Sequence, residues 1–229
     1  MIINDCVLDL ENSIDLEPGA ATWYDLSRYK NNGTITAGAG GWVQLPSGLW
    51  AYEFDGAASF VDFGNPASIL SHTRGSISCW LKGSGYIGIA CQNGAGGGTN
   101  EWYLQVDGAN NRLVDYYTDG GVVQHQLLTA NGTLDDTLWN HLVFQSSGTT
   151  CTCYINGVLT ALVVGGGANN GDWFDDNALF DIVTLGSSRR APPLYYTGLI
   201  ASPVIHTYMF TAGQARNTYE SEKHLVGVA

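Results

Sequence analysis

Between residues 101 and 163 the chain alternates short apolar–polar runs with turn-forming clusters, and this punctuation restricts its fold more than any other feature. EWYLQVD runs into Gly108-Ala109-Asn110-Asn111, RLVDYYT into Asp119-Gly120-Gly121, and TCTCYI into Asn156-Gly157. Each run has the period of two that sends alternate side chains to opposite faces of a strand. Asn-Gly is the strongest short hairpin signal, because both residues tolerate the positive φ that a two-residue turn requires. In CTCYI, Cys151, Cys153 and Ile155 therefore share one strand face, and Thr152 and Tyr154 the other.

The same pattern extends both ways. YEFDGAASFVDFG (52–64) alternates around Gly56. GSISCWLKGSGYIGIAC (75–91) reads as two strands around Gly83 and Gly85. LWNHLVF begins another strand–turn–strand series, and YYTGLIASPVIHTYMF (195–210) is a late strand bent at Pro203. Only TAGQARNTYESEKHL (211–225) reads as helical, with Thr211 as N-cap and Gln214 in the capping-box position. Thirty glycines, 12 tyrosines and only 13% charged residues favour strands and tight turns over helices. No period of 20–50 residues repeats, and no linker divides the chain, so the expected architecture is one domain over 1–229. That domain is all-β: a two-sheet antiparallel jelly-roll sandwich with one short C-terminal helix.

Charge narrows the partners. The net charge is −12, and the one basic pair, Arg189-Arg190, precedes Pro192-Pro193. No basic patch is available for nucleic acid or for an anionic membrane surface. No run of about 18 apolar residues exists to insert into a bilayer. The start, MIINDCVLDLENS, lacks a basic region followed by an apolar one, so no signal peptide is read there. The expectation is cytoplasmic synthesis, with assembly into a virus particle as one route onward. The five cysteines, Cys6, Cys79, Cys91, Cys151 and Cys153, include no CxxC pair and are expected as buried free thiols. A metal site at Cys151 and Cys153 needs further Cys or His nearby, and the sequence locates none.

Strand-Tyr154-Ile155-Asn156-Gly157-Val158 is also a family signature. It resembles the laminin G-like branch of the concanavalin A-like lectin/glucanase superfamily. Other landmarks follow in that family's order: Asp25-Leu26-Ser27 with Asn31-Asn32-Gly33-Thr34, YEFDGAASFVDFG, SISCWLK, LWNHLVF, VTLGSSRR, YTGLIASPVIH and FTAGQARNTY. Together they run from about residue 5 to 222. The resemblance implies the same jelly roll. It leaves function open, because the fold carries lectins, glycan-binding modules, polysaccharide-degrading enzymes and adhesion domains.

No enzymatic signature is complete. A retaining glycosidase needs two carboxylates about 5–5.5 Å apart. Glu53-Phe54-Asp55 is the nearest match to the Glu-x-Asp-x-Glu strand of laminarinase-like members, and the second glutamate is absent. A lyase on this fold wants a Tyr/His pair with Arg or Gln; His125, Gln124, Gln126, Tyr116 and Tyr117 supply the residue types without a motif. His141 is expected as a hydrogen-bonded strand residue.

No cofactor is required by these features, and calcium is the ion the resemblance brings. It implies a calcium between the opening turn and the late strand, with Asp25 and Asn31 as ligands. The late strand carries Ala201-Ser202 where the family has two acids, and Lys30 stands ready as an alternative positive charge. A second acidic cluster, Asp172, Asp175, Asp176 and Asp181, offers Asp175 and Asp176 to calcium, or Asp172 and Asp175 to a sugar stacked on Trp173. Trp102 and Tyr103 are further ligand-binding candidates. The leading expectation is a non-catalytic binding or adhesion module with a glycan or cell-surface polysaccharide as ligand, displayed on a phage particle. A structural decoration or tail-associated virion protein, with other virion proteins or further copies of itself as partners, is the alternative. A polysaccharide hydrolase or lyase ranks third.

Overall fold

Alternation becomes strand wherever it was read. Seventeen strands form among the described residues, which are 6–10 and 21–229 of this computed structural model; residues 1–5 and 11–20 of the expected domain lie outside them. In chain order the first eight are β1 (Cys6–Asp9), β2 (Thr22–Trp23), β3 (Gly33–Thr36), β4 (Gly41–Gln44), β5 (Trp50–Asp55), β6 (Phe60–Asp62), β7 (Gly75–Cys91) and β8 (Glu101–Asp107). Then come β9 (Arg112–Asp119), β10 (Val122–Leu128), β11 (Asn140–Ser146), β12 (Cys151–Ile155), β13 (Val158–Thr160), β14 (Val163–Gly167), β15 (Ile182–Leu185), β16 (Ser187–Ser188) and β17 (Leu194–His206). A one-turn helix, α1 (Ala67–Leu70), and the C-terminal α2 (Ala212–Glu222) complete the regular structure with two 3-10 turns. No helix among the described residues is long and apolar enough to cross a membrane.

The pairings are antiparallel and resolve into two layers. One runs β4–β5–β17–β7–β11–β12–β13, with β1 continuing along β17 beyond β5. The other runs β2–β3–β6–β15–β7–β8–β9–β10–β14. Strand β7 belongs to both: its first half pairs with β11 and its second half with β8. Here the expected division into two strands is corrected. Gly83 (φ 130°) and Gly85 (φ 110°) do not break the strand but bend it from one sheet into the other. A Cβ on Gly83 would sit 2.0 Å from the Thr197 carbonyl oxygen, so no other residue fits this crossing.

Between the layers lies a core that includes Trp23, Phe54, Leu104, Tyr117, Leu142, Phe144, Trp173 and Ile200, all at most 1% exposed. Helix α2 covers the outer face of the first sheet. Val143, Tyr154, Phe210 and Ala215 pack beneath it, and Trp80 stacks on Tyr219 at 5.7 Å. The helix starts as expected: Thr211 caps it, and the Gln214 side chain completes the capping box. The Asn156-Gly157 turn also forms as expected, with φ of 52° and 74°. All five cysteines are buried and unpaired with one another.

Candidate functional site

Among the described residues no helix covers the outer face of the second sheet, and alternation decides what it shows. On β8, Trp102, Leu104 and Val106 are buried between the layers, whereas Tyr103 and Gln105 are half-buried on the other side. On β9, Leu113, Asp115 and Tyr117 point inward and Tyr116 outward. The four-residue loop after β8 sets Tyr103 opposite Tyr116, and the next hairpin sets Tyr116 opposite Gln126. Tyr86 of β7 falls opposite Gln105. The result is a row of three half-exposed tyrosines edged by two amides. The Tyr103 and Tyr116 rings stack at 5.2 Å and 22°, and Tyr86 meets Tyr103 edge-on at 4.9 Å.

An ion pair between a buried carboxylate and a half-buried guanidinium closes one end of this row. Glu101, only 3% exposed, accepts the Gly98 N–H at 2.9 Å through Oε1 and faces Arg190 Nε at 3.3 Å through Oε2. Burial raises the Glu101 carboxyl above its ordinary value; Arg190, the Gly98 N–H and the Ser188 hydroxyl pull in the other direction without reversing it. Arg190 arrives on a loop bound to the glycine-rich segment 94–98 through Gly94 N–H to Arg189 O (3.2 Å), Ala191 N–H to Ala95 O (2.7 Å) and Gly97 N–H to Ala191 O (3.1 Å). The Arg190 guanidinium fills the space a side chain at Gly97 would need. Burial raises the phenols of Tyr103 and Tyr116, and the Glu101 charge adds to it. Both therefore stay as neutral hydroxyls that donate and accept. The row offers flat apolar rings with hydroxyl and amide groups at their edges, and its nearby cation is already neutralised by Glu101.

The candidates chosen from the sequence scatter. Tyr103 reaches the surface. Trp102 (1% exposed) and Trp173 (0%) are corrected from ligand-binding to core residues: their rings pack 4.7 Å apart, with Phe174 4.8 Å from Trp102. Trp102 lost its place by lying one position off the outward register. Trp173 turns inward because the 3-10 turn Phe174–Asp176 that follows it pins its N–H to Asp176 Oδ2 at 2.7 Å. With Trp173 buried, the stacking face expected beside Asp172 and Asp175 is not presented to solvent. Asp172 instead accepts the Asn170 amide at 2.7 Å.

Of the calcium candidates, Asp25, Asn31 and Asp176 are held by hydrogen bonds within the fold. Asp25 is 1% exposed, and its two oxygens accept from the N–H groups of Asp9, Ser27 and Asn31 and from the Ser27 hydroxyl, at 2.7–3.0 Å. These donors occupy the lone-pair directions a cation would need. Asn31 donates its amide to Val7 O and Ser68 Oγ. Lys30 lies over the turn and donates to Leu26 O at 3.3 Å. Asp176 is engaged with Trp173, and Asp175 is exposed with its N–H on His72 O.

The lyase residue types are divided between faces: Tyr116 and Gln126 point outward, Tyr117 and His125 lie at 0% exposure in the core. Asp55 is tied into its own turn by the N–H groups of Ala39, Ala57, Ala58 and Ser59. Tyr86, Glu101, Arg190 and Gln105 were missed. Hairpin register could have found Gln105 and Tyr86; nothing local links Arg190 to Glu101. A separate concavity of about 610 Å³ lies by α2, lined by Lys82, Asp135, Leu138, Trp139 and Tyr219 among others.

Comparison with known proteins agrees with this architecture. The family model of the concanavalin A-like lectin/glucanases superfamily matches residues 55–216. No curated protein matches the chain. Among solved structures, the CBM40 module of the Ruminococcus gnavus IT-sialidase is 15% identical with a TM-score of 0.58, covering 74% of this chain and 97% of that one. The same module has been solved bound to alpha2,3 sialyllactose. The binding domain of botulinum neurotoxin serotype C1 is 14% identical with a TM-score of 0.66 over 96% of this chain and 53% of its own. That of neurotoxin DC, solved with rat synaptotagmin II, is 13% identical with a TM-score of 0.67 over 96% and 52%. The chain spans about half the length of these toxin domains. At such identities the likeness is one of fold.

Proposed function

We propose that this chain, which belongs to the concanavalin A-like lectin/glucanase superfamily, is a non-catalytic carbohydrate-binding module. The observation that carries the reading is the row Tyr86–Tyr103–Tyr116 on the open face of the second sheet. Sugar rings present apolar C–H faces and hydroxyl edges. Aromatic rings with neutral phenols and flanking amides complement both. Binding-module neighbours such as the sialidase CBM40 support the class. The ligand proposed is an uncharged glycan: the chain carries −12 and Arg190 is already paired with Glu101.

A glycan array tests this, with sialyllactose among the probes beside neutral oligosaccharides. Neutral glycans should be retained, with little change between low and moderate salt. Tyr103→Ala with Tyr116→Ala should abolish retention, and Trp139→Ala in the separate concavity should leave it intact. A blank array, or loss with Trp139→Ala alone, would overturn the assignment.

A further inference from the structure

Among the described residues, one group of three His, Cys, Asp or Glu side chains comes close enough together to share an ion: Asp115, His125 and Cys151. None has a part in the tyrosine row. Asp115 on β9 and His125 on β10 belong to the second sheet, and Cys151 on β12 to the first. The three meet across the sandwich, at 0%, 0% and 2% exposure, with their potential ligand atoms all within 4.8 Å of one another.

The hydrogen bonding around them is selective. Asp115 Oδ1 accepts the Trp102 Nε1–H at 2.8 Å. His125 Nδ1 lies 3.0 Å from Asn170 Oδ1. The orientation of Asn170 is set on both sides, because its Nδ2 donates to Asp172 Oδ2 at 2.7 Å while its Oδ1 accepts the Asp172 N–H at 3.2 Å. Oδ1 is thus an acceptor, and His125 Nδ1 carries a proton. The remaining atoms, Asp115 Oδ2 and His125 Nε2, stand 2.9 Å apart as a buried ion pair that falls short of hydrogen-bond alignment. With Cys151 Sγ they place three potential ligand atoms within 4.8 Å of one another in the core. An imidazole held through Nδ1–H and a carboxylate held through its other oxygen match the outer-shell arrangement usual around metal ligands.

We propose that Asp115 Oδ2, His125 Nε2 and Cys151 Sγ form a structural site for one divalent transition metal of the zinc class, clipping the two sheets together. The donor set is one carboxylate, one imidazole and one thiolate, which suits that class and not calcium. Donors on a tetrahedral zinc lie roughly 3.3–3.7 Å apart, since the bonds are about 2.0–2.3 Å long, so small side-chain shifts complete the geometry. With Asp115 and Cys151 ionised and His125 neutral, the divalent charge is balanced in the core. The sequence could not show this, because the three residues lie on three strands and only the closed sandwich joins them.

The test is metal titration of the full chain, read by metal content and by the absorption of the cobalt(II) form. One equivalent should bind, and cobalt(II) should show a thiolate-to-metal charge-transfer band. Cys151→Ser should abolish the band and Cys153→Ser, on the same strand face, should keep it. Asn170→Ala should weaken binding about 10- to 100-fold, as loss of an outer-shell partner does. No stoichiometric uptake, which would leave a bare carboxylate–imidazole contact, overturns the proposal, as does a band that survives Cys151→Ser. If Cys151→Ser does not fold, X-ray absorption of the zinc-loaded wild type decides: one sulfur at about 2.3 Å with nitrogen and oxygen at about 2.0 Å is expected, and a shell without sulfur refutes it.

Discussion

Trp102 and Tyr103 are neighbours in the chain and serve opposite sides of β8: Trp102 lies 4.7 Å from Trp173 inside the sandwich, and Tyr103 stacks on Tyr116 outside it. One strand thus carries both a core anchor and a surface aromatic, and substitutions at the two positions should differ in kind. Trp102→Ala removes a fully buried ring and leaves Asp115 Oδ1 without its donor. It should cost about 3–5 kcal/mol of stability and be seen as a large fall in Tm.

Tyr116→Ala acts on a half-exposed ring. It should leave Tm within a few degrees of wild type and weaken glycan binding about tenfold or more, as removal of an aromatic anchor does. Tyr116→Phe keeps the ring and loses only the hydroxyl, so it should retain most of the affinity. Calorimetric titration of the three proteins checks this. A large loss in Tyr116→Phe with none in Tyr116→Ala would be incompatible with a stacking role.

His141 should make the fold acid-sensitive. It is 1% exposed and lies against Trp80, 4.9 Å between ring centroids. Burial lowers its pKa from 6.5 to about 4. The unfolded chain therefore binds a proton between those values that the folded chain refuses, so stability rises with pH across the window. The contribution is complete above pH 6.5 and is lost as pH falls toward 4. Its size is on the order of 3 kcal/mol, at 1.36 kcal/mol per pH unit. His141→Phe should flatten the dependence of urea-unfolding midpoints between pH 4 and 6.5. An unchanged slope would place the acid sensitivity elsewhere.

Much of the fold was legible because its signals are local. Thr211 and Gln214 lie three residues apart, and Asn156-Gly157 is a dipeptide, so each declares its element alone. The division of β7 was misread because Gly83 and Gly85 look the same whether they end a strand or bend it; only the close approach of Thr197 and Tyr195 distinguishes the cases. The surface was harder. Trp102 and Trp173 were attractive by residue type, but facing follows register, and a single step moves a side chain from ligand to core. Asp115, His125 and Cys151 were invisible for the opposite reason, since no spacing along the chain encodes contact between sheets.

Asp25 is the polar centre of the opening turn, and its removal should be expensive. Asp25→Ala leaves the N–H groups of Asp9, Ser27 and Asn31 without the acceptor they share. Each orphaned buried donor costs about 1–3 kcal/mol, so a loss of several kcal/mol is expected in chemical denaturation. Asp25→Asn keeps the shape but replaces one acceptor with an NH₂ aimed at donors, and should recover only part of the loss. A variant as stable as wild type would show that the turn does not depend on this carboxylate.

Asn156 performs two tasks that substitution can separate. Its backbone sits at φ 52°, the left-handed region that most residues enter at a cost. Its Oδ1 accepts the His141 N–H at 2.8 Å, tying the β12–β13 turn to β11. Gly157 follows at φ 74° with the Arg216 Cα of α2 only 3.0 Å from where a Cβ would stand, so the turn is also pressed against the helix. Asn156→Gly keeps the backbone freedom and loses the side-chain bond, and should cost about 1 kcal/mol. Asn156→Ala loses the bond and adds roughly 1–2 kcal/mol of backbone strain. Equilibrium unfolding should therefore rank wild type above Asn156→Gly above Asn156→Ala. If alanine equalled glycine, the positive φ would carry no energetic weight in the folded chain, and the turn's preference for Asn would rest on the hydrogen bond alone.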